Sequence, residues 1–167
     1  MQNLSARQFL DKNLQRDVFD ILQRTNFNPK NLELEITESL SMFDVNTSIS
    51  IMDSFTNKGI SISIDDFGSG YSSLSHLHLF PIDKLKIDRS FINLIGSNNN
   101  DSLIPTIIAL AEQLNLRVIA EGVETADQLE KLRQLKCQMV QGYYFSKPLP
   151  ANEFSALLHQ TAKDLTN

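Results

Sequence analysis

What is scarce in this chain narrows it first. A single cysteine, Cys137, excludes an internal disulfide framework, and its place beside an apolar strand reads as a buried structural thiol. No run of about 18 apolar residues occurs. Nothing like a signal peptide precedes the first predicted helix, so a cytoplasmic protein with no membrane segment is expected. Positive charge is short. Fifteen basic residues face 20 acidic ones, a net charge of −5, which argues against polymeric nucleic acid as a partner. An anionic substrate would therefore need metal ions or local basic residues. Histidine is also sparse: His76 and His78 sit two apart near a helix end and His159 is far away, a poor pattern for zinc.

What remains is enough for one globular domain, 167 residues of which 41% are hydrophobic. Apolar positions at Phe9, Leu10, Leu14, Val18, Phe19, Ile21 and Leu22 predict one long amphipathic helix from Ala6 to Thr25. Leu32 to Thr37 alternates as a strand. Asp44 caps a helix to about Lys58, stopped by Gly59, and Ile60 to Asp65 is the next strand. A short helix near Ser72 to His78 and a turn at Pro81 lead to a strand at Lys84 to Asp88. After the polar loop at Ser97 to Asn100, a helix runs from about Ser102 to Asn115 with Pro105 in its first turn. A strand at Arg117 to Glu121, a helix capped by Thr125, a strand at Met139 to Tyr143 and a helix capped by Asn152 complete the order.

Strands that alternate with helices imply βαβ units and a parallel sheet, hence an α/β fold. Strand parity says more. Leu34 and Ile36 oppose Glu33 and Glu35; Leu85 and Ile87 oppose Lys84 and Lys86; Ile62 and Ile64 oppose Ser61, Ser63 and Asp65. A doubly wound sheet meets apolar helices on both faces, whereas a (β/α)8 barrel turns one face inward and carries its catalytic groups at the C-terminal strand ends. A barrel fits this pattern.

The stretch ISISIDDFGSGYSSL, Ile60 to Leu74, places two adjacent carboxylates where a strand gives way to a glycine-rich loop. Successive strand residues point to opposite faces, so Asp65 and Asp66 converge only if the strand ends there and the loop from Phe67 to Ser73 re-aims Asp66. Gly68 and Gly70 permit that turn. Glu35, Glu38, Asp65, Asp66, Lys86, Asp88, Glu121, Glu124 and Gln141 all fall at or just beyond predicted strand ends. Buried charge is costly unless paired or bound to metal, so this many acids at one mouth call for cations. Oxygen donors without histidine or cysteine select hard ions, Mg²⁺, Mn²⁺ or Ca²⁺, over zinc. An aspartate bridging two such ions is how two-metal phosphoesterases hold an attacking water and a leaving oxygen. The opposing reading is a ring of buried salt bridges in which Lys84 and Lys86 neutralise Glu33 and Glu35; Glu33, the deeper by parity, suits a structural partner better than a metal.

At these residues the chain resembles the EAL domain, the bacterial family that hydrolyses cyclic di-GMP to pGpG. The matching segments are NLSARQF at Asn3, LELEITES at Leu32, IDDFGSGYSSL at Ile64, KIDRSFI at Lys86, VIAEGVET at Val118 and VQGYYFSKPLP at Val140. The resemblance implies Asn3, Glu35 and Asp65 as ligands of a first Mg²⁺ or Mn²⁺, and Asp65 with Asp66 for a second, with Ca²⁺ a non-productive occupant. It implies Lys86 against the attacking water, Glu121 as general base or its metal-linked partner, and Gln141 near the water. Glu38 would anchor the loop after Asp66, with Asp88 and Glu124 in support.

The tripeptide that names the family does not occur at the place the resemblance requires, on a strand upstream of Asn3, where its glutamate would complete the first metal site. Ser155-Ala156-Leu157 resembles it only superficially, lying in the last predicted helix. A full barrel takes about 250 residues, so residues 1–167 read as a single partial EAL domain, an incomplete TIM-like (β/α)8 barrel lacking roughly its first two to three strands. Impaired catalysis and a homodimer or higher association through open sheet edges are the expected consequences. The alternative function is a catalytically inactive module that binds cyclic di-GMP or a protein partner.

Overall fold

The computed structural model describes residues 2–38, 44–68, 74–96 and 103–164. Its elements, in chain order, are β1 (Gln2–Leu4), α1 (Ala6–Phe9), α2 (Leu14–Thr25), a 3-10 turn (Pro29–Asn31) and β2 (Glu33–Thr37). Then come α3 (Val45–Thr56), β3 (Ser61–Phe67), α4 (Leu74–Leu77), β4 (Lys84–Ile87), α5 (Arg89–Ile92) and α6 (Leu103–Gln113). The last four are β5 (Arg117–Glu121), α7 (Ala126–Gln134), β6 (Met139–Gln141) and α8 (Ala151–Asp164). Gly70, Ser72, Ser73 and the expected loop at Ser97 to Asn100 lie outside the described residues.

The six strands form one parallel sheet in the order β1-β2-β3-β4-β5-β6. Each new strand is added on the same side of the last, with no reversal of order. A doubly wound sheet reverses at a switch point and a barrel does not, so the strand order agrees with the parity argument.

Burial follows parity. Leu34 and Ile36 of β2, Ile62 and Ile64 of β3, Leu85 and Ile87 of β4, and Val118 and Ala120 of β5 are all buried in the hydrophobic core with Met52 and Phe55 of α3 and Ile104, Ile107, Ile108 and Ala111 of α6. The other face of the sheet carries Glu35, Ser63 and Lys86, and these are buried as well. It is that polar face that has to be explained.

Local sequence sets the helix ends. Asp44 caps α3 by accepting from the Thr47 backbone N–H at 3.1 Å and the Thr47 hydroxyl at 2.7 Å. Thr125 and Gln128 form a reciprocal capping box at the start of α7. The single helix expected over Ala6 to Thr25 is instead two, α1 and α2. The Asp11 carboxylate accepts from the Asn13 backbone N–H at 2.9 Å, and such a local side-chain turn competes with helical hydrogen bonding. Strand β6 stops at Gln141 rather than Tyr143. A Cβ on Gly142 would fall 2.1 Å from the Val123 carbonyl oxygen, so the chain there packs directly against the end of β5. Asn152, expected as the cap of the last helix, lies inside α8. Cys137 is half-buried, and its burial pushes the thiol pKa up, as suits a structural residue.

Candidate metal-binding active site

Four strands deliver charged side chains to one place. Lys86 on β4 is 4% exposed in its side chain, and its ammonium meets three carboxylates: Glu35 of β2 at 2.7 Å, Asp65 of β3 at 3.0 Å and Glu121 of β5 at 2.7 Å. Burial works against a charged lysine, but hydrogen bonds to Glu121, Glu35 and Asp65 more than offset it and hold the Lys86 pKa well above its ordinary value. The lysine stays charged. It is nonetheless one cation among three acids, before the neighbouring Asp66 and Asp88 are considered.

Asp66 reaches the same rim by a route the alternation rule does not anticipate. Strand β3 does not end at Asp65; it continues to Phe67, and its pairing with β4 shifts register between Ile64 and Phe67. Asp66 adopts φ 54°, the left-handed region that non-glycine residues rarely enter. One residue of irregular backbone therefore turns Asp66 toward Asp65, as a β-bulge re-aims a side chain. The turn is pinned from behind: Glu38, itself buried, accepts the Gly68 backbone N–H at 2.9 Å. Gly68 has φ 92°, and a Cβ there would lie 2.9 Å from the Phe91 ring, so glycine is required on both counts.

Oxygens of Asp65, Asp66 and Glu121 all lie within 4.8 Å of one another, a spacing that one or two divalent cations could bridge. Desolvation raises the Asp66 pKa, with repulsion from Asp65 and Asp88 adding to it; Lys86 only partly compensates. Desolvation likewise raises the Glu121 pKa, and repulsion from Asp65 and Glu35 adds to that rise against the pull of Lys86. Both groups are costly to keep ionised where they stand. An all-oxygen donor set of clustered carboxylates fits a hard divalent ion.

The remaining expected residues are placed as follows. Asn3 stands opposite Glu35 in the β1–β2 register and is exposed. Glu35 is held by Lys86 and is not part of the three-acid cluster. Asp88 caps α5 by accepting the Ser90 N–H at 2.9 Å; although burial opposes it, hydrogen bonds from Ser90 and Asp66 hold its pKa below the ordinary carboxylate value. Gln141, opposite Glu121 across β5 and β6, and Glu124 line a polar cleft of about 250 Å³ with Asp66, Asp88 and Glu121. Glu33 pairs with Lys84, the structural partner its depth suggested.

Two residues outside the expected set, Arg89 and Tyr143, border the same cleft. Arg89 follows Asp88 at a strand end, which is its sequence signal. A Cβ on Gly122 would sit 2.5 Å from the Arg89 Cβ, so the β5–α7 loop passes close over that residue. Tyr143 is 57% exposed and follows Gly142 just beyond β6.

A family model described as the EAL domain matches residues 2–148. The chain belongs to the EAL domain family. MucR of Pseudomonas aeruginosa, a bifunctional diguanylate cyclase/cyclic di-GMP phosphodiesterase, is 44% identical over 155 residues, 92% of this chain and 23% of that protein. The solved structure of the PaMucR phosphodiesterase in complex with c-di-GMP superposes with a TM-score of 0.87 at 44% identity, covering 91% of this chain and 62% of that one. A manganese and cyclic di-GMP complex of Klebsiella pneumoniae BlrP1 gives a TM-score of 0.79 at 28% identity, over 87% of this chain and 38% of that one. The chain spans 15% to 23% of the length of three curated relatives it matches. No helix among the described residues is long and apolar enough to cross a membrane.

Proposed function

We propose that this EAL domain is a cyclic di-GMP phosphodiesterase that uses Mg²⁺ or Mn²⁺ to hydrolyse one phosphodiester of the cyclic dinucleotide and release pGpG. The observation that carries the reading is the convergence of Asp65, Asp66 and Glu121 beside a single buried lysine. When bound there, divalent ions supply a lowered water pKa and neutralise charge on the phosphate.

The chain's own residues then have distinct tasks. Asn3, Glu35 and Asp65 would hold one ion, and Asp65 with Asp66 the other. Lys86, donating to Glu121 at 2.7 Å, fixes that carboxylate and places a positive charge beside the negative charge that develops on phosphate oxygens. Glu121, its pKa raised by burial and by its acidic neighbours, is suited to take a proton from the attacking water. Gln141 stands across from Glu121 and orients groups at the rim. Glu38 fixes the Asp66 turn through the Gly68 N–H, and Asp88 and Glu124 border the cleft beside it.

Incubation of the chain with cyclic di-GMP and Mn²⁺, followed by chromatography for pGpG, tests this. Product formation that is abolished by a chelator is expected. Saturable binding with no product would instead favour an inactive cyclic di-GMP-binding module.

A further inference from the structure

We propose that Ser63 is a positioning residue for Lys86, acting through its small volume and not through its hydroxyl. The meaning of this for catalysis rests on the phosphodiesterase reading, but the geometry does not.

Strand β3 lies between β2 and β4. The two lysines of β4 nevertheless find acids on β2, Lys84 at Glu33 and Lys86 at Glu35. Adjacent strands are about 4.8 Å apart, so each pair must close a gap of roughly 10 Å by passing over the middle strand. What they pass over is set by register. Ser61 stands opposite Glu33, and Ser63 stands opposite both Glu35 and Lys84. Ser63 is therefore beneath the crossing and is completely buried.

Its hydroxyl could bond to an ammonium or a carboxylate nearby, yet among the described residues the Ser63 Oγ makes no hydrogen bond. No protein partner therefore accounts for serine at this position. Size is the better account. The neighbours on the opposite face of the same strand, Ile62 and Ile64, are full-sized core residues. A β-branched or longer side chain at position 63 would occupy the space the lysine stems use. Close-packed interiors do not absorb added methyl groups, so the stems would have to move. Lys86 would then lose its simultaneous hold on Glu35, Asp65 and Glu121, which orients the carboxylates of the site.

The test uses the full chain labelled with ¹⁵N-lysine. An ammonium shielded from water by three carboxylates exchanges its protons slowly and gives a resolved ¹H–¹⁵N signal, assigned by its disappearance in Lys86→Met. Ser63→Ala is expected to keep that signal and to leave Mn²⁺ affinity, measured by calorimetry, within about twofold. Ser63→Val is expected to displace or erase the signal and weaken Mn²⁺ binding roughly tenfold or more, while circular dichroism still reports a folded chain. Should the valine variant fail to fold, the series Gly, Ala, Cys, Thr at position 63 must displace the signal in order of side-chain volume. Loss of the signal in Ser63→Ala, an unchanged signal and affinity in a folded Ser63→Val, or no trend with volume would each overturn the proposal. A chain that fails to cleave cyclic di-GMP but shows the volume trend would sink the enzymatic reading and leave this one standing.

Discussion

Lys84 and Lys86 stand two residues apart on one strand, face the same interior and meet acids across β3, yet they sit in different electrostatic arrangements. Lys84 is matched one to one with Glu33, both side chains largely buried at 12% and 13% exposure. Lys86 is divided among Glu35, Asp65 and Glu121, with Asp66 and Asp88 close behind. A matched pair closes its own charge, even though the second Glu33 oxygen finds no protein partner. Lys86 shared by several acids, with Arg89 the other cation at the cleft, still leaves net negative charge at the end of the strands where the polar cleft opens. The lower bridge is architecture, and the upper one is a site that still wants positive charge.

Removing each lysine should separate the two most sharply. Lys86→Met strands three carboxylates in a buried site, and without metal the chain should lose about 3–5 kcal/mol of stability in urea unfolding. Added Mn²⁺ should restore much of that loss, because a divalent ion can replace the missing charge. Lys84→Met strands only Glu33 and should cost about 3 kcal/mol, the lower end for a single broken buried pair, with no recovery on adding Mn²⁺. Equal losses in the two variants, or rescue of both by metal, would erase the distinction between the bridges. The smallest effect belongs to the double change Lys84→Met with Glu33→Leu. It exchanges a matched pair for apolar packing, so its stability should fall within about 1 kcal/mol of the unchanged chain, again by urea unfolding.

Much of this contrast is legible before any coordinates. Parity alone puts Glu33, Glu35, Ser61, Ser63, Asp65, Lys84 and Lys86 on one face and their apolar neighbours on the other, and the sheet keeps that division. The pairings Lys84–Glu33 and Lys86–Glu35 can be read from that shared face, as the salt-bridge reading does. The further hold of Lys86 on Asp65 and Glu121 cannot, because it depends on how three strands come together in space. The route of Asp66 is hidden for a different reason. A strand that ends is easy to read from a glycine-rich loop, whereas a strand that continues through one left-handed aspartate looks the same in sequence. The break between α1 and α2 is hidden likewise: apolar spacing runs through Leu10 to Leu14, while backbone turns at Asp11 and Leu14 and the Asp11 side chain accepting from Asn13 interrupt it. Asp88 is ambiguous in sequence because it serves two neighbours, the α5 backbone and Asp66.

The central claim is that surplus acid around Lys86 holds a divalent cation. Calorimetric titration of the chain with Mn²⁺, beside Asp65→Asn, tests it most directly. Saturable binding by the unchanged chain, weakened about 100-fold or more in the folded variant, is the result this account predicts. Equal affinity in the two, or no binding by the unchanged chain, would contradict it.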